Sequence, residues 1–166
     1  MFGEFRGLPL HALVVHAAVM FAPLAAALGF GYVVPKWRGR LLFPLLAASV
    51  IAASTLVVAR QSGLVLKTAL GEQLNGNLAG ALVARHQELG GQLLIAVLVL
   101  LVLSVVAAAV RLRGAAATSA RKAVALVVPP GVLLVSIAVL VLTVQTGEAG
   151  AKARWNPDGS FSYSGK

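Results

Sequence analysis

The chain contains no cysteine. That absence excludes disulfides, thiolate-ligated iron–sulfur clusters and the C-x-x-C-H attachment of a c-type haem, so any haem here is held without a covalent link. Acids are scarce as well, five against fourteen Lys and Arg. In a soluble chain such an excess would point to nucleic acid. Here only 11% of the 166 residues are charged and 59% are hydrophobic, which is too apolar for a soluble domain. The expected partner is the lipid bilayer, and no nucleic acid is expected. No nucleophile sits beside a histidine with an orienting acid, and no ionisable group lies near the middle of an apolar run. Hydrolase and transporter chemistry are therefore disfavoured, and no enzymatic reaction is assigned.

What is present is four uncharged runs, Gly7 to Pro35, Leu41 to Ala59, Leu89 to Val110 and Ala123 to Gly147. Each has about the 20 residues needed to cross ~30 Å of hydrocarbon at 1.5 Å per residue. The expected fold is all-α: a polytopic four-transmembrane-helix bundle in a single integral membrane domain, 1–166, with spans at about 8–34, 41–60, 89–110 and 123–146. The loop after the first run carries Lys36, Arg38 and Arg40, and the loop after the third carries Arg111, Arg113, Arg121 and Lys122, with no acid in either. Those loops should face the cytoplasm, leaving both termini and the tail, 148–166, extracytoplasmic. Small residues at Ala25 to Gly29 would suit a cleaved leader. The run is too long for one, and the first seven residues carry no net positive charge, so it reads as a span.

Local signals refine this picture. Pro9 suits a first helical turn, which puts the first helix start near Leu8. Pro129-Pro130-Gly131 should kink or unwind the fourth span. Ser49, Ser54 and Thr55 can each return a hydrogen bond to a carbonyl one turn earlier. Leu66, Leu70, Leu74, Leu78 and Leu82 recur every fourth residue among polar ones, so 61–88 reads as an amphipathic helix lying in the outer interface, interrupted at Asn75-Gly76-Asn77. Asn156-Pro157-Asp158-Gly159 is a turn.

The residues that ask for a function are His11 and His16, at the opening of the first run, His86 before the third, and Glu148 after the fourth. A charged side chain at membrane depth costs roughly 2.5 kcal/mol or more, and its default reading is a site with a partner on another helix. Counting 1.5 Å per residue from the basic ends puts His11 at about 34 Å, His16 at about 27 Å, and His86 and Glu148 both at about 36 Å. Three residues of three helices thus share a level, while His16 lies deeper and points roughly 140° away from His11. Met20, one turn below His16, is either a core residue or an axial ligand.

The segments GLPLHALVVHAAV and TGEAGAKARW, with the lone histidine before the third span, resemble an uncharacterised family of bacterial four-span membrane proteins, a domain of unknown function. The likeness covers essentially the whole chain. The last motif follows the family's T-G-H-S-G-A-K-x-x-W pattern, except that Glu148 and Ala149 stand where it has His and Ser. The resemblance implies a multi-pass protein of the bacterial plasma membrane. Members joined to Rieske-type iron–sulfur domains imply electron transfer with respiratory or other redox membrane proteins.

Three readings follow. In the first, a redox subunit binds b-type haem near the outer face through two of His11, His16 and His86. In the second, His11, His86 and Glu148 hold Cu or Zn. The third is a structural or assembly subunit without cofactor.

Overall fold

The computed structural model describes residues 3–113 and 118–162; the last four residues of the expected tail lie outside the described residues. Four helices dominate: α1 (Leu10–Val33), α2 (Arg38–Leu74), α3 (Leu78–Leu112) and α4 (Thr118–Trp155). All four are long and apolar enough to cross a membrane. α1 packs on α2 and α4, and α3 packs on the same two, so the helices form an up-down-up-down bundle in which α1 faces α3, and α2 faces α4, across the diagonals.

Each boundary has a local cause. The chain enters through a hairpin of β1 (Glu4–Phe5) and β2 (Leu8–Pro9), which pairs Glu4 with Pro9 and Phe5 with Leu8. Its turn residues Arg6 (φ 52°) and Gly7 (φ 77°) are both left-handed, the conformation of a two-residue turn matched to strand twist. The first helix was expected from Leu8, but β2 takes up Leu8 and Pro9, and α1 starts at Leu10 with Pro9 as its N-cap. α1 stops because Val34 precedes Pro35 and is extended. α2 ends before left-handed Gly76, and α3 is capped by Asn77, whose Oδ1 accepts from the Gly80 N–H at 2.8 Å.

The stretch 61–88 is helical and breaks at Asn75-Gly76-Asn77, as its leucine spacing indicates. It is nevertheless not a separate helix lying along the interface: α2 continues unbroken from the second span to Leu74, and α3 runs unbroken from Leu78 into the third. No proline interrupts Ala59 to Leu74, and isolated glycines do not end a helix. Pro129 and Pro130 likewise sit inside α4, which stays helical through them rather than unwinding. Ser54 and Thr55 bond the carbonyls of Val50 and Ile51 one turn earlier, both at 2.9 Å, whereas the buried Ser49 hydroxyl has no partner among the described residues.

The interior falls on one face of each helix. Ala18, Ala22, Ala25, Gly29 and Tyr32 are buried on α1, and Leu93, Val97, Leu100, Ser104 and Ala107 on α3, at identical spacing. The same holds between α2 and α4 for Leu45 and Val132, Ser49 and Ser136, Ala52 and Val139, and Ser62 and Ala149. The hairpins α1–α2 and α3–α4 therefore repeat one another about an approximate twofold along the bundle. Small residues let the helices approach closely: a Cβ on Gly29 of α1 would collide with the Ser136 hydroxyl of α4. The outward faces carry Met20, Ile95, Leu126 and Leu134, as lipid contact requires.

Candidate functional site

His11 lies in the first turn of α1 and His86 in the third turn of α3, two helices on one diagonal of the bundle. Their rings meet edge to face, with centroids 6.0 Å apart and planes at 89°. Each ring is fixed by a helix of the other diagonal. His11 Nδ1 donates to the Ala59 carbonyl of α2 at 2.9 Å, and His86 Nδ1 donates to the Thr146 carbonyl of α4 at 2.8 Å. A carbonyl can only accept, so in both rings Nδ1 carries the proton, and in the neutral form Nε2 keeps its lone pair.

Each imidazole also lies on a glycine one turn beyond its acceptor. A Cβ on Gly63 would stand 3.1 Å from His11 Nδ1, and a Cβ on Gly150 would stand 2.9 Å from His86 Nδ1. A side chain at either glycine would force the ring to shift, by a few tenths of an ångström beside Gly63. The two arrangements are counterparts under the repeat: His11, Ala59 and Gly63 correspond to His86, Thr146 and Gly150. Sequence reasoning missed the two carbonyls, because a backbone acceptor has no residue type. It also missed the glycines, although a glycine one turn past the acceptor in both even-numbered helices was a readable signal.

The other candidates lie elsewhere. His16 is exposed on the outside of the bundle, bonding the Ala12 carbonyl of its own helix at 2.7 Å, with Met20, 69% exposed, one turn further along. The 140° rotation from His11 carries His16 outward, away from the pair. Met20 is not a core residue. Glu148 shares the level of the histidines but not their side of the helix. It is exposed and pairs with Lys152 at 2.6 Å. Two residues beyond Thr146, it points about 200° around α4 from the carbonyl that holds His86. Among the described residues no three His, Asp or Glu come together as metal ligands.

The sequence profile of a family described as "Predicted membrane protein (DUF2231)" matches residues 7–159, nearly the whole chain. The chain belongs to the DUF2231 family. The match takes in all four helices and both histidines of the pair, so the bundle is the family's domain and not an addition to it. No curated protein and no solved structure matches the chain.

Proposed function

We propose that this DUF2231 protein is a redox subunit of the bacterial plasma membrane in which His11 and His86 are the axial ligands of a b-type haem. One observation carries the reading: imidazoles from diagonal helices meet with centroids 6.0 Å apart, each anchored through Nδ1. Histidines that bind metals characteristically donate their other ring N–H to a carbonyl or carboxylate, which fixes the tautomer and aims the ring. If haem were bound, His11 and His86 would hold its iron through Nε2, the nitrogen that the Nδ1 bonds leave free in each ring.

The donor count supports haem over a bare ion. Haem iron takes four nitrogens from its macrocycle and needs two axial ligands, whereas a protein Zn site takes three or four side chains. This pair offers two, and Glu148 is engaged with Lys152. At the same level α2 and α4 present Gly63 and Gly150, where backbone without side chains borders the pair. Arg60 lays its guanidinium against Gly91 and offers a cation to an acidic substituent. Bound haem would supply one-electron chemistry; the chain's part is to hold the two rings, exclude water and set the polarity around them.

The test is purification in mild detergent from haem-replete cells, followed by reduction with dithionite. A b-type spectrum is expected, abolished by H11A or H86A and kept by H16A. A colourless protein that ignores added hemin would sink the proposal, and Zn or Cu without porphyrin would replace it with the ion site. We also infer that the histidine end faces out of the cytoplasm, because Lys and Arg without acids fill both loops at the other end. Alkaline-phosphatase activity is expected for fusions after Gly76 and Lys166 and not after Arg40 or Gly114; the reverse pattern would overturn it.

A further inference from the structure

At the end opposite the histidines, two guanidiniums tie the helix ends together without a counter-charge. Arg38, the first residue of α2, donates from Nη2 to the Val33 carbonyl of α1 at 3.2 Å and from Nη1 to the Ala125 carbonyl of α4 at 3.4 Å. Arg111, in the last turn of α3, donates from Nη1 to the Gly39 carbonyl at 2.6 Å, with its guanidinium 5.8 Å from the Phe43 ring centroid. Arg38 Nε is buried and has no partner among the described residues. Tyr32, 6% exposed, lies one residue before Val33, whose carbonyl accepts from Arg38, and its hydroxyl has no hydrogen bond among the described residues.

No acid answers these cations. Lys36, Arg38, Arg40, Arg111, Arg113, Arg121 and Lys122 gather at this end, and the described residues around them include no Asp or Glu. α2 and α4 both begin here with no acid in the first turn, where the positive helix end favours an anion. Arg38 itself sits at such a terminus, so its charge is opposed by the dipole as well as unpaired. A buried N–H donor without an acceptor is costly, and a phosphate offers several charged acceptor oxygens matched to guanidinium forks.

We propose that this end is a phosphate-binding site, formed by Arg38 and Arg111 with the Tyr32 hydroxyl, and that its occupant is the headgroup of an anionic phospholipid. The position favours a lipid source: the site lies where the helices end, beside exposed Trp37, a side chain of the kind that settles at headgroup depth. A lipid held there would bridge the ends of all four helices.

The experiment uses the full chain in mild detergent, titrated separately with phosphatidylglycerol, phosphatidylcholine and inorganic phosphate, and read by thermal shift and native mass spectrometry. Phosphatidylglycerol is expected to bind at least tenfold more tightly than either of the others. R38Q, R38K and R111Q should each lose about tenfold, Y32F less, and R113Q, which removes an exposed arginine, under twofold. R38K keeps the charge and loses Nε, so it separates site geometry from net charge even if R38Q fails to fold. Inorganic phosphate binding as tightly as phosphatidylglycerol would overturn the lipid source. Equal losses in R38K, R111Q and R113Q, or none, would overturn the site.

Discussion

Along α1 the interior positions hold Ala18, Ala22, Ala25 and Gly29; at the counterpart positions of α3 stand Leu93, Val97, Leu100 and Ser104. Only near the basic end is the order reversed, with Tyr32 on α1 against Ala107 on α3. The two helices face one another across the bundle, so large residues on one fill what small residues on the other leave. The repeat is thus kept in the backbone and in which face points inward, while side-chain volume is exchanged. In a bilayer this matters more than hydrophobicity, because lipid is as apolar as the core and close packing is what distinguishes the folded state.

The largest effect is expected from disturbing that exchange. Leu100→Ala should destabilise the bundle by roughly 2–5 kcal/mol through the cavity it leaves. Ala25→Leu should cost about 1–3 kcal/mol by overpacking. Ala25 and Leu100 share one core cluster, so the double change should recover a large part of both losses in a detergent melting experiment. Additive losses would show that the two hairpins do not fill a common space.

A second comparison sets Gly63→Ala beside Gly150→Ala. Each puts a methyl group within about 3 Å of an imidazole, and each should cost roughly 1–3 kcal/mol while releasing its ring from the carbonyl. The ring ¹⁵N chemical shifts of His11 and His86 would report the loss of the fixed tautomer. An effect confined to one half would mean that the two histidines are not equivalent. Smaller still is His16→Leu, expected to move stability by under ~0.5 kcal/mol, because the ring bonds only its own helix on the outer surface.

The least effect belongs to the exits of the two hairpins. Both turns use a left-handed glycine, Gly76 (φ 70°) after α2 and Gly159 (φ 71°) after α4, but only the second carries an acid. The Ser160 hydroxyl, and then its backbone N–H, donate to Asp158 and hold its carboxyl below the usual value. A lowered pKa means that the contribution of this turn is present above the ordinary aspartate range and is lost as pH falls through the lowered value. Ser160→Ala should raise the Asp158 midpoint toward normal in an NMR titration, leaving the Asn75–Asn77 turn unchanged. A midpoint that does not move would remove the hydroxyl as the cause.

How much of this could be read from the letters follows from the same geometry. The shared level of His11 and His86 was legible because a helix advances by a fixed rise, so position along the chain becomes height. Rotation was harder. Glu148 was placed with the histidines on height alone, and its direction around α4 takes it outside. The uniformly apolar helices give no polar face to mark what turns outward. The repeat was hidden because Ala22 and Val97, or Ser62 and Ala149, share a position without sharing chemistry. The extension of α2 to Leu74 was missed because leucines spaced for an interfacial helix serve equally well in a helix that stands upright.

That extension gives the histidine end an uneven rim. From Ala59, at the level of the imidazoles, α2 rises about 22 Å to Leu74. α3 descends about 12 Å from Leu78 to His86, and α4 continues about 14 Å past Thr146 to Trp155. α1 alone begins almost at that level, with His11 its second residue, covered by the short β1–β2 hairpin whose Gly3 leans on Val65. A molecule approaching the pair along the bundle axis would meet the raised ends of α2, α3 and α4. Its shortest approach crosses the β1–β2 hairpin, so those few residues set how closely anything outside the bundle comes to the two imidazoles.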